Sequence, residues 1–398
     1  MSFKPCFTWL TTLATAGLLP IAARAQVDPY ARNLIQLGVD VPLTGKGPQG
    51  VYAYYHYNDP GFSGTNVALR LAVAPAYVDG EFGFKGVLTR NTDVGLGFNG
   101  GAFAENYYEV RGGSYLKQES FDGHGGGVSV SVYQLLNSGR LIPVSLVLRG
   151  GVTYSVFDAT DDTDAAFQLP EDRANGYVRA GVRVAGKEPM LYPDLGLELS
   201  VWTESRWRLE NGAYGYAGDR SVSDRTDLYW VYAGLDYAWT NTGHKLSFHV
   251  TAGGSENADR QSAWRIGGVL PLVAEFPLIL PGYYYQELSA RRFVHLSGSY
   301  SLPIDTKLRW QLRFEGAVAG IEAIPGMPQE DDWHSGVGVG LSFTSRDKAW
   351  RVIARSGYGF NAVRSGGVGA HSVGLLFQYD FEHGRRREAR REPEPPAG

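Results

Sequence analysis

The residues able to do chemistry are few and scattered. His295 and Ser297 stand at i and i+2, so a strand would carry both on one face. There a histidine could activate a serine as a nucleophile. Residues 158–164 (DATDDTD) and Glu330-Asp331-Asp332 gather carboxylates. Such clusters could hold Ca²⁺ or bridge lipopolysaccharide through divalent ions, but they read rather as solvated loop charge. Residues 123–127 (GHGGG) lack the strand-then-helix setting in which glycines cradle phosphate, and they read as a flexible turn. No G-x-S-x-G, H-E-x-x-H or phosphate-loop motif occurs, and no sequence signature asks for a cofactor or metal.

More telling are whole charges inside apolar stretches: Arg179, Arg183, Arg309, Arg313 and Glu315. The elements that carry them alternate with a period of two. Leu308, Trp310, Leu312, Phe314 and Val318 alternate with Arg309, Gln311, Arg313 and Glu315. Leu195, Leu197, Leu199 and Val201 alternate with Glu198, Ser200 and Glu204. A two-residue period places each set on its own face of a strand. About sixteen such runs fill the chain, near 34–43, 50–58, 66–74, 77–89, 92–104, 126–136, 141–158, 174–185, 191–205, 228–239, 244–254, 291–302, 306–320, 334–344, 348–358 and 370–381. A packed core cannot hold unpaired charge, but a wet lumen can. Aromatics near run ends (Tyr229 and Trp239, Tyr52 to Tyr57, Trp350 and Tyr358) suit interfacial girdles. The reading is an all-β fold: a transmembrane antiparallel β-barrel of about 16 strands over residues 26–384.

Composition agrees. Of 398 residues 52 are glycine, well above the usual share of about 7%, and 24 tyrosines exceed 18 phenylalanines. Mean hydropathy is −0.21, and past the leader no stretch approaches the ~18 apolar residues of a spanning helix. Residues 1–25 read as a cleaved signal peptide: Lys4, an apolar stretch from Phe7 to Ala22, then Ala23-Arg24-Ala25. The one cysteine, Cys6, falls inside it, so the exported part is expected to fold without disulfides. Loss of Lys4 and Arg24 takes the net charge from −4 to −6, which disfavours nucleic acid. Residues 385–398 (RRREARREPEPPAG) read as a disordered, charged, Pro-rich tail.

The stretch from Trp264 to Pro303 resembles the bacterial surface antigen superfamily, the barrel of BamA-like outer-membrane assembly factors and two-partner-secretion transporters. Arg265-Ile266-Gly267-Gly268 is similar to its "RLGG" segment and Gly282-Tyr283 to its "RGY" loop tip. Gln286-Glu287-Leu288 and Tyr300-Ser301-Leu302-Pro303 are similar to the turn and strand that follow. The loop falls between runs eleven and twelve, as in that family. Ser372, Gly374, Phe377, Tyr379 and Phe381 resemble the terminal barrel-insertion signal. The resemblance implies a loop folded into the lumen as a plug or brace. In the family a tip arginine meets an acid on strand thirteen. Here Pro281 replaces that arginine, leaving Glu315 to seek Arg291, Arg292 or Arg313. The resemblance also implies periplasmic POTRA modules, for which the residues between Gln26 and the first run leave no room.

Three functions compete: a platform for protein or lipid translocation or insertion, a passive pore or structural barrel, and a lipase using His295 and Ser297. Outer-membrane phospholipases carry a His-x-Ser pair on the lipid side of a strand, whereas His295 is expected to face the lumen. No enzymatic activity is therefore expected. The expected partners are outer-membrane lipid and lipopolysaccharide, the barrel-assembly machinery during biogenesis, and periplasmic proteins that would supply clients.

Overall fold

A computed structural model describes residues 31–187, 195–210, 212–271, 275–327, 329 and 332–382. The expected leader and tail lie outside them, as do Glu330 and Asp331. Sixteen strands form the wall: β1 (Arg32–Pro42), β2 (Gly50–Ser63), β3 (Val67–Ala74), β4 (Tyr77–Phe84), β5 (Thr92–Gly101), β6 (Phe121–Leu135), β7 (Val144–Ala159), β8 (Arg173–Lys187), β9 (Leu195–Arg208), β10 (Arg225–Ala238), β11 (Lys245–Glu256), β12 (Leu288–Pro303), β13 (Trp310–Ala323), β14 (Asp332–Thr344), β15 (Trp350–Arg364) and β16 (Gly367–Asp380). Each pairs antiparallel with its sequence neighbours, and β1 also pairs with β16 from Leu34↔Asp380 to Pro42↔Ser372. The sheet is therefore a closed barrel with no free edge, and both wall ends lie at one rim.

Alternation sorts the two faces. On β9, Leu195, Leu197, Leu199 and Val201 are exposed outside, while Glu198, Ser200, Trp202 and Glu204 are buried inside. On β16, Val373, Leu375, Phe377 and Tyr379 face out, and Ala370, Ser372, Gly374 and Leu376 face in. The outer wall is an apolar belt far larger than a water-facing surface tolerates. Connections such as 64–66 and 304–309 are short, whereas 102–120, 160–172, 209–224 and 257–287 crowd the opposite rim. Aromatic and ionic contacts gather these four long loops into a cap. Tyr107, Phe121, Phe157, Phe167 and Tyr214 pack together, and the fully buried Glu109 pairs with Arg260 at 2.6 Å.

Three expectations need correction, and the acidic stretch can be placed. Residues 123–127 are not a turn but part of β6, paired with β7 throughout and with β5 from Gly125; the glycines' missing side chains admit neighbouring backbones closely, Asn99 O standing 2.9 Å from where a Gly126 Cβ would be. Tyr52 is no girdle residue: it is buried inside, its hydroxyl donating to Gln36 Oε1 at 2.6 Å, because its parity on β2 points inward. Arg309 lies in the turn before β13, its guanidinium 4.6 Å from the centre of the Phe343 ring. Asp162 of the 158–164 acidic stretch pairs with Lys117, and Asp158 contacts His124; among the described residues no cluster could hold a metal ion.

Candidate functional site

The loop 257–287 folds inside the barrel. Its first part is a short strand: Trp264, Arg265 and Ile266 pair with Ala290, Ser289 and Leu288 at the head of β12. Arg265 bonds Ser289 and reaches the Tyr108 carbonyl at 2.6 Å, tying the loop to the cap. A narrow hairpin follows, closed by Gly267 N–H to Leu278 O (3.0 Å) and Leu280 N–H to Gly268 O (3.2 Å). Gly267 has φ +141°, and a side chain there would overlap the Tyr284 carbonyl.

One side of the hairpin seats on β1, β15 and β16. Asp40 on β1 accepts the Val269 N–H at 2.6 Å, and Arg355 on β15 donates to the Val269 carbonyl at 2.8 Å. Leu270 packs with Tyr52, Ile353 and Leu376. Gly374 makes the space, since a Cβ there would stand 2.7 Å from both Val269 and Leu270 side chains. Arg355 also pairs with Glu315, which Arg313 approaches at 3.3 Å. The loop thus lies beside Glu315, with Arg355 between them.

Glu315 therefore finds its main cation on the barrel wall, where the resemblance would have placed a loop-tip arginine. Arg313 contributes as expected. Arg291 and Arg292 pair instead with Glu322, beside a register shift between Ala290 and Arg292.

The opposite wall meets the hairpin end. In a closed ring of sixteen, β9 stands eight strands from β1. Glu275 pairs with Arg179 at 3.0 Å and with Arg183, both on β8. Phe276 packs among Trp202, Trp230 and Tyr232. His295 on β12 holds the returning limb, its Nε2 donating to the Ile279 carbonyl at 2.7 Å. Ser297 is also on the inner face, but His295 is engaged with the loop.

The tip, Pro281-Gly282-Tyr283, rests on glycines of β14 and β15. Gly282 (φ +88°) lies so close to Gly359 that any Cβ would overlap its nitrogen. Its N–H donates to Ser372 Oγ at 3.0 Å. The Tyr283 hydroxyl shares a 3.1 Å hydrogen bond with His334 Nδ1, and burial, reinforced by Glu287, raises its phenol pKa. Arg364 at the top of β15 completes the anchor. It donates to both Glu287 oxygens, at 2.7 and 2.9 Å, and lies 3.7 Å from the Tyr284 ring centre. Glu287 also accepts the Tyr284 N–H at 2.7 Å. Burial lifts the Glu287 carboxyl above its ordinary range despite the opposing pull of Arg364. Such a two-pronged, stacked guanidinium fixes geometry as well as charge.

The terminal motif divides between the faces. Ser372 and Gly374 serve the loop seat, Phe377 and Tyr379 face outward, and Phe381 packs beside Tyr55 and Tyr379 just past β16. Sequence reasoning missed Asp40, Arg355, Arg364 and the Arg179–Trp230 wall. Parity alone placed Arg179 inside, and continued along 348–358 it would have done the same for Arg355.

The class defined is a closed sixteen-strand antiparallel barrel with an inward-folded loop between β11 and β12. Among solved structures it is similar to CdiB from Acinetobacter baumannii (TM-score 0.56, 12% identity, covering 88% of this chain and 60% of that one). It is likewise similar to CdiB from Escherichia coli (TM-score 0.56, 12% identity, 89% and 63% covered). BamA from Haemophilus ducreyi lacking POTRA domains 1–3 gives TM-score 0.54 and 11% identity over 88% of this chain and 71% of that one. The chain thus spans less than two thirds of the two CdiB chains. No family profile and no curated protein matches it. The likeness lies in the fold, and it is the barrel that the surface-antigen resemblance implied.

Proposed function

We propose that this barrel is an outer-membrane platform for translocation or insertion, in which loop 257–287 is a removable brace across the lumen. The observation that carries this reading is the loop's attachment to both walls: Val269 to Asp40 and Arg355 on one side, Glu275 to Arg179 on the other. A structural barrel could be filled by wall side chains alone. A loop held by discrete polar contacts can be released without unfolding the sheet. The likeness to CdiB and BamA barrels supports the reading at the level of fold. The apolar outer belt would face lipid and lipopolysaccharide, the outward aromatics of β16 would meet the assembly machinery, and periplasmic partners would deliver clients.

Planar-bilayer recording tests the brace. Wild type should show small, intermittent conductance, and deletion of residues 269–280 should give large, steady openings. Equal conductance in both favours the passive pore. Cross-linking in cells tests the platform, and recovery of no periplasmic or barrel client would remove it. For the lipase reading, engagement of His295 by Ile279 O predicts that Ser297→Ala leaves any lipid-hydrolysing activity of a preparation unchanged.

A further inference from the structure

The wall that receives the hairpin end carries more recognition chemistry than a brace requires. Trp202 and Trp230, paired across β9 and β10, stack 6.0 Å apart at 11°. Arg179 lies over both rings, at 4.5 and 4.8 Å, and Arg183 lies 5.2 Å from Trp202. Against this surface the loop presents two side chains. The Glu275 carboxylate bridges the two arginines, and the Phe276 ring lies 6.0 Å from each indole and 5.1 Å from Tyr232. The indole N–H groups of Trp202 and Trp230 are more than nine-tenths buried and have no hydrogen-bond partner among the described residues. Buried donors are normally satisfied, so two adjacent ones mark a surface whose polar chemistry this occupant does not use up.

We propose that this wall is a recognition site for an extended polypeptide bearing a carboxylate side chain next to an aromatic one, and that Glu275-Phe276 is its tethered stand-in. The charge sign follows from the two arginines, the aromatic neighbour from the indole pair and Tyr232. An extended backbone adds carbonyl oxygens, acceptors that neither indole has among the described residues. The site faces the bore, where a client would pass. The inference rests on the translocation reading and names the client chemistry for it. A tethered occupant acts at an effective concentration of about millimolar. A free segment must outcompete it, so recognition of a client and release of the brace become one event.

The test uses full-length protein in detergent and a fluorescein-labelled peptide containing Gly-Ser-Glu-Phe-Pro-Gly, read by anisotropy. A Glu275→Ala, Phe276→Ala variant vacates the wall and should bind this peptide roughly tenfold or more tightly than wild type. Adding Arg179→Gln and Arg183→Gln should abolish the gain, and a peptide with Lys in place of Glu should not bind. Equal binding by wild type and the vacated variant, no binding by either, or equal binding of the Lys peptide overturns the proposal. Heat modifiability on gels checks that each barrel is folded. If the double variant fails it, Phe276→Ala alone supports the same comparison. A negative result removes this site only, since the platform reading depends on client cross-linking and conductance.

Discussion

Arg364 shows how much one side chain on the wall can hold. It stacks on Tyr284, grips both oxygens of Glu287 and reaches the Thr44 carbonyl, so it joins the loop base to a second connection at the same rim. Both members of the ion pair are almost fully buried. Removing one leaves the other charged and dry, a loss of ~3–5 kcal/mol. Arg364→Met should therefore lower the temperature of the folded-to-unfolded gel shift markedly. Arg364→Lys should recover only part of it, because an ammonium neither forks onto a carboxylate nor stacks as a plane. Full recovery by lysine would show that charge alone matters there. These roles were only half legible in the chain. Glu287 was marked by its place in the loop motif. Its partner lies 77 positions away, a distance that closes only when β12 and β15 take their places in the ring. Glu315 taught the same lesson: the strand-mate Arg313 was visible, whereas Arg355 required knowing that two strands away on the same face is near in space.

At the scale of elements, β16 does two jobs with its two faces. Its outward side continues the apolar belt, while Ser372 and Gly374 form a seat for the loop. Gly374→Val should fill the space taken by Val269 and Leu270 and unseat the hairpin without breaking the β1–β16 pairing, whose hydrogen bonds are backbone. In a Cys6→Ser background, a Leu270→Cys reporter should then react with maleimide severalfold faster than in the Gly374 parent. An unchanged rate would mean that the hairpin seats without β16. The strands themselves were well legible, since each of the sixteen alternating runs corresponds to one wall strand. Limits failed where glycine replaced the alternation signal, as at 123–127. Short runs of glycine carry no inside–outside contrast, although the ladder continues through them.

At the scale of the molecule, closure is what makes the sheet complete. Every wall strand has two partners, and none offers an unpaired edge. Ending the chain after Gly366 would strip β1 and β15 of one partner each and leave edge groups that lipid cannot satisfy. That truncation should yield no heat-modifiable species and should collect as aggregate. A folded, membrane-integrated product would show that fifteen strands can close. Composition foretold this scale best. Glycine and tyrosine abundance and charge within apolar runs all follow from a wall with a polar inner face and an apolar outer one.

The hairpin's seat also fixes an order of events. A ribosome delivers Asp40 first, the loop long afterwards, and Arg355 and Gly374 last of all. Val269 and Leu270 need all three, and an unclosed sheet holds the first apart from the other two. The complete seat therefore exists only where the earliest and latest strands have met. A fully seated hairpin is thus a local mark of a joined circle, since its contacts draw on both ends of the chain.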